Sequence, residues 1–239
     1  MSAYKWFPIE TIQHLNDEVY TLSFRGEFPA KPGQFYMLKI NTTNDPLLGR
    51  PISVSDVDGD RIVFLIQVLG RGTAMMQSMR PGDKIGLFGP LGNGFRITEG
   101  KTALFAGTAG IAPLLYLAKN LPTKPDLYAG FRSSSYYTEE FREHVDEIYI
   151  ATEDGSEGYR GYALDLLDAN AYEKVYICGP MPMIVATMKK FPEANLEVSL
   201  EARMGCGFGA CLSCNTRTHK GGLRICKEGP VFDAKELIL

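Results

Sequence analysis

Around residue 98 the chain changes rhythm, and that change constrains the fold more than any other feature. Up to residue 97, short β-prone runs such as VYTLSF, QFYMLKI, RIVFLIQVL and KIGLFG are separated by turn signals: KPGQ, NTTNDP, DVDGD, RPGD and GPLGNG. Several short strands at that spacing predict an all-β barrel or sandwich. From KTALFAG onward an apolar run ends in the glycine loop GTAG and passes into IAPLLYLAKNL. That segment reads as a helix, with Pro113 in its first turn and Leu114, Leu115 and Ala118 on one face. DLYAGF, EIYIAT, KVYICG and LEVSLE follow as buried-type strands with helical segments between some of them. Alternation of strand and helix predicts a parallel, doubly wound sheet. After LEVSLEARM the tail is rich in glycine and cysteine and has no helical period. The expected fold is therefore α+β and multi-domain: an antiparallel β-barrel over residues 1–97, an α/β doubly wound domain over 98–200, and a small cysteine module over 201–239.

Four of the five cysteines fall in the tail: Cys206, Cys211, Cys214 and Cys226. The start of the chain shows no basic segment followed by an apolar run, which leads to an expectation of a cytoplasmic protein with reduced thiols. Clustered cysteines then more often bind metal than pair as disulfides. No stretch approaches the ~18 uninterrupted apolar residues of a spanning helix. A net charge of −3 and the absence of a basic block argue against nucleic-acid and membrane partners.

Several motifs carry chemistry. In GRPISVSDV, Arg50 offers a planar cationic fork suited to a phosphate or an electron-rich ring, although an edge-strand arginine is the ordinary alternative. Ser53 points to the face opposite Ile52 if the run is extended. In FLIQVLGRGTAMM, Gly70, Gly72 and Thr73 precede a helix start whose N–H groups can hold a diphosphate, or they form an ordinary capped turn. In LFAGTAGIAPLL, Gly107, Thr108, Ala109 and Gly110 lie between strand and helix, where small residues let a dinucleotide diphosphate approach the backbone, or simply make a tight strand–helix turn. YIATEDGSEG ends a strand in Glu153 and Asp154, acidic groups that accept from ribose hydroxyls and repel a 2′-phosphate, or that simply face water. Cys178 ends a strand ahead of Gly179 and Pro180. The tail thiols have the spacing C-x4-C-x2-C followed by a fourth cysteine; the first part is the plant-type [2Fe–2S] spacing, with a zinc knuckle as the alternative. The run TEEFREHVDE reads as an exposed, mixed-charge helix face.

The order RPIS, GRGT and GPLGNGF, followed by GTAGIAPL and CGPMPM, resembles the ferredoxin reductase superfamily. With CGFGACLSC and the closing phrase CKEGPVF, it resembles the branch of electron-transfer subunits of class 1B dihydroorotate dehydrogenases, across essentially the whole chain. The resemblance implies FAD on the barrel, with Arg50, Pro51, Ile52 and Ser53 at the isoalloxazine and nearby phosphate. Leu65, Ile66 and Gln67 would line the flavin, and Gly72 and Thr73 would meet its diphosphate. It implies NAD(H) on Gly107, Thr108, Ala109, Gly110 and Asp154, with Cys178, Gly179 and Pro180 on the nicotinamide side, and a [2Fe–2S] cluster on the four tail thiols. Electrons would run between NADH, flavin and cluster to or from an FMN-containing catalytic dihydroorotate dehydrogenase subunit, in a hetero-oligomer serving pyrimidine biosynthesis. This chain lacks the length for that subunit's own barrel. Related subunits serve hydrogenases, sulfur reductases and transhydrogenases, and a zinc-stabilised binding module is the reading from another class.

Overall fold

The computed structural model describes residues 4–40 and 45–239, so the NTTN half of the turn signal NTTNDP lies outside the described residues. Seven strands come from the first part of the chain: β1 (Lys5–His14), β2 (Val19–Arg25), β3 (Phe35–Lys39), β4 (Arg50–Ser53), β5 (Asp56–Asp58), β6 (Arg61–Gln67) and β7 (Lys84–Leu91). Period-two alternation turns Tyr20, Leu22 and Phe24 of β2, Ile62, Phe64 and Ile66 of β6, and Tyr36 and Leu38 of β3 into one shared interior. The sheet runs β4-β3-β7-β1-β2-β6-β5, all antiparallel. The long β1 serves both halves, pairing β7 through Lys5–Pro8 and β2 through Ile9–His14.

A closed barrel was expected, yet among the described residues no ladder joins the edge strands β4 and β5. The chain itself spans the gap between those edges. At Val54 it still bonds to the β3 side (Val54 N to Gln34 O, 2.9 Å), and at Ser55 it has crossed to β6 (Ser55 N to Val63 O, 2.9 Å). A strand that changes partners in one step leaves no residues to hydrogen-bond across the seam. The helix expected after GRGT is α1 (Arg71–Gln77), which begins inside that motif, so Gly72 and Thr73 lie in its first turn instead of preceding it.

The second sheet has the order β11-β10-β9-β8-β12-β13-β16. Its strands are β8 (Thr102–Gly107), β9 (Asp126–Phe131), β10 (Ile148–Thr152), β11 (Tyr159–Arg160), β12 (Lys174–Cys178), β13 (Leu196–Ser199) and, beyond a small hairpin of β14 (Asn215–Thr218) and β15 (Gly221–Arg224), β16 (Val231–Asp233). The ladders from β11 to β13 are parallel. Helix α2 (Ala112–Asn120) packs on one face, while α3 (Ala163–Leu166) and α4 (Met181–Lys190) supply core to the other. The chain builds outward from β8 through β9 and β10, then returns to β12 on the other side of β8, so the strand order reverses between β8 and β12. The tail expected as a separate module over 201–239 returns a strand to this sheet, β16 antiparallel to β13. TEEFREHVDE is not an exposed helix face: only Glu139–Phe141 forms a 3-10 turn, and Phe141 and Val145 are buried in the core. No helix among the described residues is long and apolar enough to cross a membrane.

Helix α2 joins the two sheets. Leu114, Leu115, Leu117 and Ala118 are buried in a core that also holds Val19, Leu65 and Phe95 of the first sheet's half. Polar contacts fix the register of this packing: Ser55 Oγ donates to Ala112 O (3.1 Å), Tyr116 N to Ser55 O (2.9 Å), and Lys119 Nζ meets Asp56 Oδ2 at 2.6 Å. The other oxygen, Asp56 Oδ1, is buried with no partner among the described residues. GPLGNGF clasps the tail: Asn93 Nδ2 donates to Glu228 O (3.0 Å) and Val231 O (2.7 Å), and its Oδ1 accepts from Val231 N (3.0 Å).

Removing Lys119's charge strands a buried carboxylate that already has one unsatisfied oxygen. Lys119→Met is expected to lower stability by about 1–3 kcal/mol in urea denaturation with unchanged slope; a loss below about 0.5 kcal/mol, the range of ordinary surface substitutions, would deny the ion pair a structural role.

Candidate functional site

The reversal of strand order places the carboxyl ends of β8 and β12 side by side, the position where open α/β sheets bind ligands. Gly107, Thr108, Ala109 and Gly110 leave β8, and Cys178, Gly179 and Pro180 leave β12. The two loops touch backbone to backbone. A Cβ on Gly110 would stand 2.2 Å from Cys178 O, and one on Gly179 would stand 2.9 Å from the Gly107 Cα. Only glycine permits that approach. Thr108 holds φ of 49°, an uncommon conformation for a residue with a branched side chain, at the turn into α2. Cys178 is fully buried, and burial first, with the Glu201 charge second, holds its thiol well above the ordinary range. It stays a neutral thiol.

At the end of β10, Asp154 Oδ1 accepts from Ser156 N at 2.9 Å. Hydrogen bonds from Ser156, side chain then backbone, hold the Asp154 carboxyl below its usual range, so it presents an anion to the surface. Glu157 ties this loop to the one after β9, accepting from Ser135 N (2.8 Å) and Ser135 Oγ (3.0 Å).

In the first sheet, the Arg50 guanidinium lies flat against Gly72, where a Cβ would come within 2.0 Å of its Nε. RPIS and GRGT are thus in contact, and Gly72 is the cradle that makes room for the cation. The Arg50 Nη1 turns back to donate to Leu48 O, and the cation forms no ion pair among the described residues. Thr73 Oγ1 accepts from Leu69 N (3.0 Å) and Gly70 N (3.2 Å), fixing the entry to α1. Pro51, Ile52 and Ser53 of β4 are half-buried, opposite Met37, Tyr36 and Phe35. Leu65 and Ile66 are buried in cores on opposite faces of β6, so of the three residues expected to line a ligand there, Gln67 is the one whose side chain stays accessible.

The tail thiols differ in exposure: Cys214 and Cys226 are buried, Cys206 is half-buried and Cys211 is exposed. Gly207 (φ 80°), Gly209 (φ 92°) and Leu212 (φ 59°) wrap the loop in left-handed turns. That turn aims N–H groups at sulfur: Ala210 N lies 3.3 Å and Cys211 N 3.5 Å from Cys206 Sγ, and Cys226 N lies 3.4 Å from Cys214 Sγ. The thiols stand as two pairs, Cys206 with Cys211 and Cys214 with Cys226, and no group of three or more ligating side chains among the described residues closes on one point. Four thiols with N–H donors already turned to their sulfurs are nonetheless a donor set for a thiolate-held metal centre. Ser213's hydroxyl first, then backbone N–H groups, pull the Cys211 thiol down to about 6. Burial, then the Cys214 thiol, push Cys226 up to about 12. Arg224 Nη1 donates to Gly209 O (3.0 Å) and pairs with Glu228, pinning the thiol loop to the β15 hairpin.

The three groups of residues converge. The turn Thr108–Ile111 lies against β6, and β6 approaches β4. Pro51 of β4 is opposite Met37, against whose side chain Gly207 packs so closely that a Cβ would meet Met37 Cγ at 2.6 Å. Phe208 stacks edge-on against Phe88 (6.1 Å between centroids), holding the thiol loop on the first sheet. The motifs do not single out Glu201 and Tyr136. Glu201 follows β13 beside the Cys178 loop, accessible yet set deep among protein atoms, and loss of water raises its carboxyl. Only tertiary folding brings it to Cys178 and Tyr136; its one signal in sequence is a charge directly after an apolar strand.

A family model described as the iron-sulfur cluster binding domain of dihydroorotate dehydrogenase B matches residues 201–238. The chain is similar to the dihydroorotate dehydrogenase B (NAD(+)) electron transfer subunit of Clostridium acetobutylicum, 44% identical over 230 residues that cover 94% of this chain and 93% of that protein. The corresponding subunit of Clostridium perfringens is 42% identical over 232 residues, covering 93% of each. Among solved structures, a chain of the NADH-dependent reduced ferredoxin-NADP oxidoreductase, described for flavin-based electron bifurcation, superposes with a TM-score of 0.88 at 24% identity, covering 100% of this chain and 91% of that one. That likeness carries the fold: the ferredoxin reductase plan expected from the motifs.

The thiol environments make a chemical forecast for metal-free protein. Cys211 is expected to alkylate with iodoacetamide at half its maximal rate near pH 6, below the ~8.5 of an ordinary thiol, while buried Cys226, pushed up to about 12, stays unmodified at neutral pH. Peptide mass spectrometry across pH reads both; equal reactivity at the two sites would contradict the asymmetry.

Proposed function

The chain belongs to the family of electron transfer subunits of dihydroorotate dehydrogenase B (NAD(+)), and on that premise we propose that it links NADH to a catalytic dihydroorotate dehydrogenase subunit through FAD and a [2Fe–2S] cluster. When bound, these groups supply the exchange of a hydride at nicotinamide and flavin and of single electrons at iron. The protein's own residues bind, orient and insulate. Gly107, Gly110 and Gly179 let the β8 and β12 loops close on each other, which sets the entry to α2, whose N-terminal N–H groups favour the charge of a diphosphate. Asp154 would accept from the adenosine ribose and repel a 2′-phosphate. Arg50 supplies a cation over the GRGT turn, with Thr73 holding the helix entry that would face the flavin diphosphate. Cys178, kept neutral by burial, adds a small apolar wall without charge beside the ring. Cys206, Cys211, Cys214 and Cys226 would hold the iron.

The observation that carries this reading is the convergence at one junction: the Thr108 turn on β6, β6 near β4, and Gly207 of the thiol loop against Met37 opposite Pro51. Three sites in such a line suit stepwise electron movement and have no use in a zinc-folded binding module. Phe208 and Leu212, 54% and 61% exposed on the thiol loop, are the apolar surface that would face the FMN-containing partner in a hetero-oligomer. A reducing cytoplasmic setting suits the four thiols.

The deciding experiment is an anaerobic titration of the purified protein followed by absorption and EPR. NADH should bleach the flavin and then bring up a cluster signal, with NADPH acting more slowly; zinc in place of iron and acid-labile sulfide would defeat the reading. In Cys211→Ser, iron is expected to be lost while NADH still bleaches the flavin and reduction of the partner subunit fails. Turnover at the wild-type rate through the partner would refute the relay. Arg50→Ala is expected to lose at least half its flavin on gel filtration, and full retention would remove Arg50 from the flavin site.

A further inference from the structure

The thiol loop contains one side-chain hydroxyl against the four tail sulfurs among the described residues: Ser213 Oγ lies 3.1 Å from Cys211 Sγ. We propose that Ser213 is a positioning residue that raises the reduction potential of the cluster by donating a hydrogen bond to Cys211 Sγ, an inference resting on the reading of the four thiols given above.

The direction of this bond follows from proton counting. A ligating cysteine is a thiolate with no proton to give, so the hydroxyl must donate to sulfur. The rest of Ser213's bonding agrees, since its Oγ already accepts from Gly205 N at 3.2 Å. That contact occupies a lone pair and leaves the O–H to point at Cys211. The backbone enforces the approach: Leu212, between the two residues, takes φ of 59°, a left-handed conformation a leucine rarely adopts, and this folds Ser213 back over the sulfur two positions earlier.

A donor on a ligand sulfur stabilises whichever state carries more negative charge, and reduction adds an electron to the cluster. Such a bond therefore favours the reduced form and raises the potential. The placement matters because Cys211 is the exposed ligand, while Cys214 and Cys226 are buried. The buried sulfurs get their polarity from the backbone, which no substitution of side chain removes. The outward-facing sulfur is met by a side-chain hydroxyl that is not itself a ligand, so Ser213 gives this chain a means of tuning its cluster without altering a ligand.

The test uses the full-length, FAD-loaded, iron-loaded protein and an EPR-monitored redox titration. In Ser213→Ala the cluster is expected to become about tenfold harder to reduce, about 59 mV lower for a one-electron couple, with the flavin midpoint unchanged and Ser213→Thr restoring the wild-type value. An iron-loaded Ser213→Ala protein with an unaltered cluster midpoint overturns the proposal, as does an equal movement of the flavin midpoint. Loss of iron from both Ser213→Ala and Ser213→Gly also overturns it, since the hydroxyl would then build the site and not tune it. Failure of the underlying reading has a different signature: wild-type protein without iron and acid-labile sulfide.

Discussion

The relation between the two sheets depends on how α2 is seated between them. Its apolar side enters a core shared by residues from both, and apolar packing alone has no preferred rotation or register. Ser55, Tyr116 and the Lys119–Asp56 pair supply the direction, because hydrogen bonds and ion pairs are satisfied at one setting only. The same helix begins at the turn Thr108–Ile111. Fixing its register on the first sheet therefore fixes where the β8 loop meets β6. The geometry of the junction between the two sheets is thus delegated to a helix held at both ends.

The second theme is the use of absent side chains. Gly72 admits the Arg50 guanidinium, Gly110 admits the Cys178 carbonyl, and Gly207 admits Met37. In each case the approach joins segments apart in sequence; at Gly110 a methyl group would meet backbone and force the loops apart, while at Gly72 and Gly207 it would displace the Arg50 and Met37 side chains. Glycine costs conformational entropy on folding, so its concentration at these three contacts marks where the chain has traded local stiffness for close approach. The tail illustrates the converse: Asn93 and Arg224 hold a loop with little apolar content by bonding its carbonyls.

Electrostatics divide the thiols by task. Cys178 is kept neutral by burial beside Glu201, while Cys211 is drawn toward the thiolate by Ser213 and backbone donors. Two cysteines in one polypeptide thus have opposite character, set by surroundings that the residue type does not reveal.

Sequence by itself determined most element types, the change from antiparallel to parallel sheet, the loops at Gly107 and Cys178, and the clustering of four thiols, because each rests on local periodicity, turn chemistry or spacing within a short segment. RPIS, GRGT and GTAG could be read as loops and strands with ligand-binding potential, but their contact could not. Tertiary structure alone decided that Arg50 lies on Gly72, that Leu65 and Ile66 turn into cores while Gln67 stays accessible, that the tail adds β16 beside β13, and that the first sheet stays open among the described residues, its edges linked by the chain changing partners at Val54–Ser55. It also buried Phe141 and left only a 3-10 turn where charge pattern had predicted an exposed helix. The reason is common to all of these: they depend on which distant surfaces share a core, and burial is a property of the folded whole that no window of sequence contains.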